Sequence, residues 1–115
     1  MDKKIIGNWG ESVAKNYLKN KGYTILETNW RYHHFELDVI AYKNGVIGIE
    51  VKTRKNHTDL AFTILKAQQL SRLRLALRAY CRMHFVDYNQ SQLDLILIKN
   101  KNLPNIIGLQ HYRNI

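Results

Sequence analysis

The sequence predicts an α/β fold: a mixed β-sheet flanked by helices, with the order αβββαβ and a further strand at the end. Two segments show helical periodicity, and several short stretches rich in Val, Ile and Leu lie between and after them. A sheet with one helix on each side would bury the apolar faces of all these elements. The 115 residues include one proline and no linker or repeat, so we expect a single domain over residues 1–115.

The first helix is predicted over residues 8–21. Asn8 is placed to cap it, and Glu11 follows three residues later as in a capping box. One face of this helix is apolar at helical spacing and comprises Trp9, Val13, Ala14, Tyr17 and Leu18. Gly22 predicts the end of the helix, and residues 23–30 are predicted to form a strand.

A β-hairpin is predicted over residues 35–53, because "FELDVIAY" and "VIGIEVKT" flank the turn signal "KNG". Side chains alternate along a strand, so each strand should have an apolar face and a face that carries charge. The predicted apolar faces are Leu37, Val39 and Ala41, and Ile47, Ile49 and Val51. The opposite faces are Glu36, Asp38 and Ile40, and Gly48, Glu50 and Lys52.

The second helix is predicted over residues 57–83, with Thr58 or Asp59 as its N-cap. One of its faces combines apolar and polar residues: Phe62, Lys66, Gln69, Leu73, Leu77 and Tyr80. Residues 93–98, "LDLILI", are apolar enough for a strand inside the sheet, and residues 105–112 are predicted as the last strand.

The charge balance predicts a polyanionic partner. Eighteen Lys and Arg against nine Asp and Glu give a net charge of +9, which favours nucleic acid, although a generic basic surface or an anionic membrane has the same signature. No apolar stretch has the length of a membrane span and no signal peptide is recognisable, so we expect a cytoplasmic protein without membrane attachment. The single cysteine excludes an internal disulfide.

Asp38, Glu50 and Lys52 form the pattern D-x(11)-E-x-K on two neighbouring strands. Opposite side chains on paired strands lie roughly 5 Å apart, so the two carboxylates can converge on one divalent cation. Lys52 can then contact an attacking water or a phosphate oxygen. Glu-x-Lys on a strand is also common on solvated faces. The predicted central position of these strands favours the functional interpretation, because covering charged groups is costly.

"WGESVAKNYLKNKGYTILETNWR", "ELDVIA" and "IEVKTR" resemble the YraN family of small bacterial proteins, over about residues 7 to 100. That family is similar to Holliday-junction resolvases of the PD-(D/E)xK superfamily. The resemblance implies a restriction-endonuclease-like core, with the superfamily motif on Asp38, Glu50 and Lys52 and assisting glutamates at Glu11 and Glu36. Two departures are Phe35, where a glycine is common, and Gly48, where a bulkier residue is common.

These observations together predict a nuclease that hydrolyses DNA, with branched or structured DNA as a candidate substrate and Mg²⁺ or Mn²⁺ as cofactor. Asp38, Glu50 and Glu11 are the predicted metal ligands; Lys52 and Glu36 complete the catalytic set. The resemblance also implies a homodimer as one arrangement. Two alternatives stay open: a non-catalytic nucleic-acid-binding module with the same fold, and a protein-interaction adaptor with a basic helix.

Basic and polar residues around the predicted strands and second helix are candidate nucleic-acid contacts. These are Arg31, Arg54, Lys55, Lys66, Gln69, Arg74, Arg78 and Arg82. For Lys66, the alternative is a side chain that snorkels at the helix end. Residues 30–34, "WRYHH", are predicted to be a loop, either an ordinary aromatic loop or one that stacks on an unpaired base.

Overall fold

The computed structural model describes residues 2–55, 65–101 and 104–115. Its elements run in the order α1 (Lys3–Asn20), β1 (Thr24–Tyr32), β2 (Phe35–Tyr42), β3 (Val46–Lys55), α2 (Ala67–Met83), a 3₁₀ turn (Tyr88–Gln90), β4 (Gln92–Asn100) and β5 (Ile106–Tyr112). The predicted α/β class and the order αβββαβ with a final strand are confirmed.

The five strands form one mixed sheet in the spatial order β1-β2-β3-β4-β5. The pairs β1–β2, β2–β3 and β4–β5 are antiparallel, whereas β3 and β4 are parallel. A parallel pair requires a long crossover connection, and the segment that contains α2 provides it. β4 lies inside the sheet, as its apolar sequence predicts, and its residues 93–98 are all buried.

Helix α1 begins earlier than predicted. Asp2 is its N-cap and accepts a hydrogen bond from the backbone N–H of Lys4 at 2.8 Å. Asn8 is therefore inside the helix, and the predicted capping box with Glu11 is wrong. The predicted end is confirmed, because Gly22 adopts a φ of +91° directly after the helix, a conformation that glycine reaches without strain.

Helix α2 is shorter than the predicted segment 57–83. Residues 56–64, which include both predicted caps, lie outside the described residues. Leu65 and Lys66 are not helical, and Lys66 is the N-cap with an extended backbone (φ −76°, ψ 155°). Leu65 is buried against the core beneath α2. Helix α2 thus begins just after a residue that is fixed by tertiary packing.

The two helices cover opposite faces of the sheet. The core on the α1 side is formed by Ala14, Leu18, Tyr23, Val39, Ala41, Ile47, Ile49, Ile96 and Ile98. The core on the α2 side includes Leu37, Ile40, Leu73, Leu77, Tyr80, Leu93 and Leu95. The predicted apolar face of the first helix packs against the first of these cores.

The predicted alternation in β2 is wrong at Leu37. This side chain packs with Ile40 on the α2 side instead of with Val39 and Ala41 on the α1 side. The change occurs across Asp38, where β2 ceases to pair with β3. Gly48 leaves room for the displaced Leu37, because a Cβ at position 48 would lie 3.2 Å from Cδ1 of Leu37. This close packing accounts for a glycine at that position.

The predicted loop at residues 30–34 is mostly strand. β1 continues through Tyr32, and only His33 and His34 form the turn to β2, with His33 at a φ of +56°. Phe35 begins β2 as the cross-strand partner of Tyr32 and packs against the α2-side core. Among the described residues, no helix is long and apolar enough to span a membrane.

Candidate active site

The candidate active site lies at a fork in the sheet. β2 and β3 pair from Tyr42–Val46 to Val39–Ile49, whereas β3 continues beside β4 as far as Lys55. Beyond the last β2–β3 pair, the Asp38 side chain replaces the missing backbone partner: its Oδ2 accepts a hydrogen bond from the N–H of Val51 at 2.8 Å. The fork thus fixes the Asp38 carboxylate against β3, beside Glu50.

Glu50 carries a buried carboxylate, since the residue is only 7% exposed. Its Oε2 accepts a hydrogen bond from Nε2 of Gln69 at 2.9 Å and lies 3.3 Å from the ammonium nitrogen of Lys52. The structure therefore brings together four predicted residues: Asp38, Glu50, Lys52 and Gln69. They come from β2, β3 and the first turns of α2, which are fixed by the core on the α2 side.

Burial and the neighbouring Asp38 carboxylate raise the pKa of Glu50 to about 9. The Lys52 ammonium group lowers this pKa, but its effect is smaller than the combined effect of burial and Asp38. Near neutral pH, in the absence of another cation, Glu50 therefore retains a proton. This is the signature of two carboxylates held close together in a poorly solvated position, and perturbed carboxyl groups of this kind concentrate in functional sites.

Asp38 and Glu50 open onto a depression of about 260 Å³ between the sheet and α2. The other lining residues are His34, Phe35, Glu36, Gln69, Arg72 and Leu73. Glu36 forms an ion pair with Arg31 at 3.0 Å on the exposed side of the hairpin. Arg72 and His34 were not predicted as site residues. Arg72 follows Gln69 by three positions on α2, so helical spacing from Gln69 was the signal that could have identified it.

Glu11 lies in a second depression of about 470 Å³, on the α1 side of the same strand, with Lys52, Thr53 and Arg54 in its lining. Burial, followed by the charges of Asp38 and Glu36, raises the pKa of Glu11. Glu11 therefore lies close enough to Asp38 and Glu36 for their charges to act on its carboxyl group. The position depends on Gly10, because a Cβ there would collide with Oγ1 of Thr53, so glycine allows α1 to approach β3 closely.

Within residues 2–55, 65–101 and 104–115, no three acidic, histidine or cysteine side chains are grouped as a metal site. The structure thus provides a pair of carboxylates, Asp38 and Glu50, with Glu11 nearby in the adjoining depression. Mg²⁺ is commonly held by one or two carboxylates, waters and substrate phosphates, so this pair suits such an ion. A third ligand from Glu11 stays a prediction.

The predicted nucleic-acid contacts fall on different parts of the surface. Arg54 lines the depression that contains Glu11, and Lys55 and Lys66 are exposed near the ends of β3 and α2. The arginines of α2 diverge: Arg82 reaches Tyr32 on β1, whereas Arg78 lies over the ring of Tyr88 and Arg74 lines a separate depression beside it. Arg74 and Arg78 are therefore not brought to the carboxylate pocket.

The mixed five-stranded sheet with a helix on each face, and the carboxylates and lysine at its central fork, are compatible with a restriction-endonuclease-like core. Residues 10–98 match the model of uncharacterised protein family UPF0102, and the chain belongs to this family. UPF0102 corresponds to the YraN family, so the predicted membership is confirmed. The relationship of this family to Holliday-junction resolvases stays a prediction.

Several bacterial proteins of the same family are similar to this chain, two of them over more than two thirds of their length and one over less than half. A UPF0102 protein of Parabacteroides distasonis is 40% identical over 84 residues, which cover 71% of this chain and 69% of that protein. One from Bacteroides fragilis is 37% identical over 100 residues, covering 84% and 81% of the two chains. One from Clostridium botulinum is 54% identical over 52 residues, covering 44% and 42%.

Proposed function

We propose that this protein is a metal-dependent nuclease that hydrolyses phosphodiester bonds in DNA. The observation that carries the proposal is the cluster of Asp38, Glu50 and Lys52 at the fork between β2 and β3. Two carboxylates and an ammonium group converge there beside an open depression. Burying Glu50 beside a second carboxylate in the middle of a sheet costs stability, which favours a functional reason for its position.

The donor chemistry of the pair favours Mg²⁺ or Mn²⁺. Asp38 and Glu50 offer only carboxylate oxygens, which are the ligands these ions prefer. The mutual repulsion that helps to raise the pKa of Glu50 would be offset by a divalent cation between the two groups. When bound, such an ion would supply a water of lowered pKa and would offset negative charge on the phosphoryl group.

Each residue of the cluster has a role that follows from its contacts. Asp38 is oriented by the N–H of Val51, and Glu50 is oriented by the amide of Gln69. Lys52 presents its ammonium group next to Glu50, where it can donate a hydrogen bond to the attacking water or to a phosphate oxygen. Glu11 adds negative charge from the α1 side, which further favours a cation at the fork.

The charge of the remaining protein suits a phosphate backbone. The net charge of +9 coexists with a local acidic site, and within the described residues none of the four arginines of α2 has an acidic partner at salt-bridge distance. Cationic groups around the site would attract the DNA, with an affinity that falls steeply as salt rises. Of these arginines, Arg72 lines the depression onto which Asp38 and Glu50 open, so it is the one placed to contact a phosphate at the fork.

The test is a cleavage screen over single-stranded, duplex, flapped and four-way DNA with Mg²⁺, Mn²⁺ or chelator. The wild type should cut at least one substrate only when the ion is present. Asp38→Asn and Glu50→Gln should each reduce the rate about a hundredfold or more, whereas Asp87→Asn, an exposed acid in the turn before β4, should not. Salt-dependent binding with no cleavage under any ion would replace the proposal with the non-catalytic binding module.

A further inference from the structure

The end of the β1–β2 hairpin carries an aromatic ladder that the proposed hydrolysis does not use. Trp30 and Tyr32 are two positions apart on the α2-facing side of the edge strand, with rings nearly parallel (5°) and centroids 6.3 Å apart. Trp30 is held in place by Tyr80 of α2, edge to face at 5.4 Å. Tyr32, half-buried at the strand end, is the outer rung of this ladder.

The ring of Tyr32 has two polar neighbours, Arg82 and His33. Nη2 of Arg82 donates a hydrogen bond to the hydroxyl of Tyr32 at 3.3 Å, and its guanidinium carbon lies 6.0 Å from the ring centroid. The exposed His33 contacts the same ring edge to face at 4.4 Å. An aromatic ring supported from behind and flanked by a guanidinium group is the combination that binds a base and its phosphate together.

The ladder is continuous with the carboxylate pocket. Tyr32 and Phe35 are cross-strand partners, so about 5 Å separates their Cβ atoms. Phe35, together with His34 and Glu36, lines the depression onto which Asp38 and Glu50 open. A base stacked on Tyr32 would therefore belong to a nucleotide close to the phosphodiester in the pocket.

We propose that Tyr32, backed by Trp30 and flanked by Arg82, is a stacking platform for an unpaired nucleotide of the DNA strand held at the fork. This inference rests on the proposed function for the identity of the pocket and adds the substrate class: DNA with a single-stranded nucleotide next to the reactive phosphate. A base in a duplex is stacked on its neighbours and paired, so the platform selects against fully paired DNA.

The test is DNA binding in chelator, where no cleavage occurs, with a labelled oligothymidine of about 12 nucleotides and a blunt duplex of the same length. Tyr32→Ala should weaken binding of the single strand roughly 5- to 150-fold and leave duplex binding unchanged. Tyr32→Phe keeps the ring and should bind nearly as the wild type. Tyr42→Ala is the control, since Tyr42 is an exposed tyrosine of the same hairpin at the end of β2 opposite to Phe35, the cross-strand partner of Tyr32.

A second readout follows Trp30 directly. In a Trp9→Phe background, Trp30 is the only tryptophan, and saturating single strand should quench its fluorescence, whereas duplex should not. The platform is refuted if Tyr32→Ala leaves the affinities for single strand and duplex unchanged, or if it lowers the two affinities equally. It is also refuted if the wild type does not bind the single strand. Because these assays contain no metal, they are independent of hydrolysis. Preferential binding of the single strand through Tyr32 without any cleavage would reject the nuclease and support the platform. Cleavage without a contribution of Tyr32 to single-strand binding would reject only the platform.

Discussion

Replacing Glu50 by Gln should flatten the pH dependence of the unfolding free energy. Burial and Asp38 raise the pKa of Glu50 from 4.5 to about 9. Between these values the folded protein holds a proton that the unfolded chain has released, so wild-type stability falls as pH rises through this window. The slope approaches about 1.4 kcal/mol per pH unit, which gives a loss of about 2–3 kcal/mol between about pH 5.5 and about pH 7.5.

Urea unfolding in chelator at the two pH values measures this loss. Gln keeps the size of the side chain and does not titrate, so Glu50→Gln should lose much less stability than the wild type over the same interval. Glu27→Gln on β1 is the control and should follow the wild type. Adding Mn²⁺ at the higher pH should restore stability to the wild type but not to Glu50→Gln. Parallel pH profiles for the wild type and Glu50→Gln would refute the raised pKa of Glu50.

Two further predictions concern packing. Gly10→Ala should lower the unfolding free energy by about 1–3 kcal/mol, because its Cβ would collide with Thr53. Gly7→Ala in the same helix has open space and should raise it by about 0.5–1 kcal/mol; urea unfolding that ranks the two in the other order would contradict the close approach of α1 to β3. Asp94→Ala removes a fully buried carboxylate 2.7 Å from Nε2 of His111 and should cost about 3–5 kcal/mol; a thermal-unfolding loss below about 1 kcal/mol would contradict its structural role.

Much of the site could be predicted because it depends on local patterns. Alternation in β2 and β3 and the turn signal between them were sufficient to place Asp38 near Glu50 and Lys52. The fork itself could not be predicted in this way. It lies where β2 leaves β3, next to a contact between Leu37 and Gly48 under α2 that the period of the strand does not reveal.

The basic face of α2 shows a different limit of sequence reasoning. Spacing predicted one ridge of Arg74, Arg78 and Arg82, but each guanidinium turns toward whatever aromatic or polar group is close. Arg78 lies over Tyr88, which follows α2, whereas Arg82 lies over Tyr32 at the end of β1. Long flexible side chains take their direction from tertiary neighbours, and those neighbours come from distant parts of the sequence.

The catalytic role of Lys52 is measured most directly by the single-turnover rate of DNA cleavage in Mn²⁺ for the wild type and Lys52→Ala, on a substrate that the wild type cuts. We expect Lys52→Ala to stay folded and to cleave about a hundredfold or more slowly. Lys19→Ala, which changes an exposed lysine of α1, should cleave at the wild-type rate. Equal rates for the wild type and Lys52→Ala would contradict a phosphodiesterase site built on Asp38, Glu50 and Lys52.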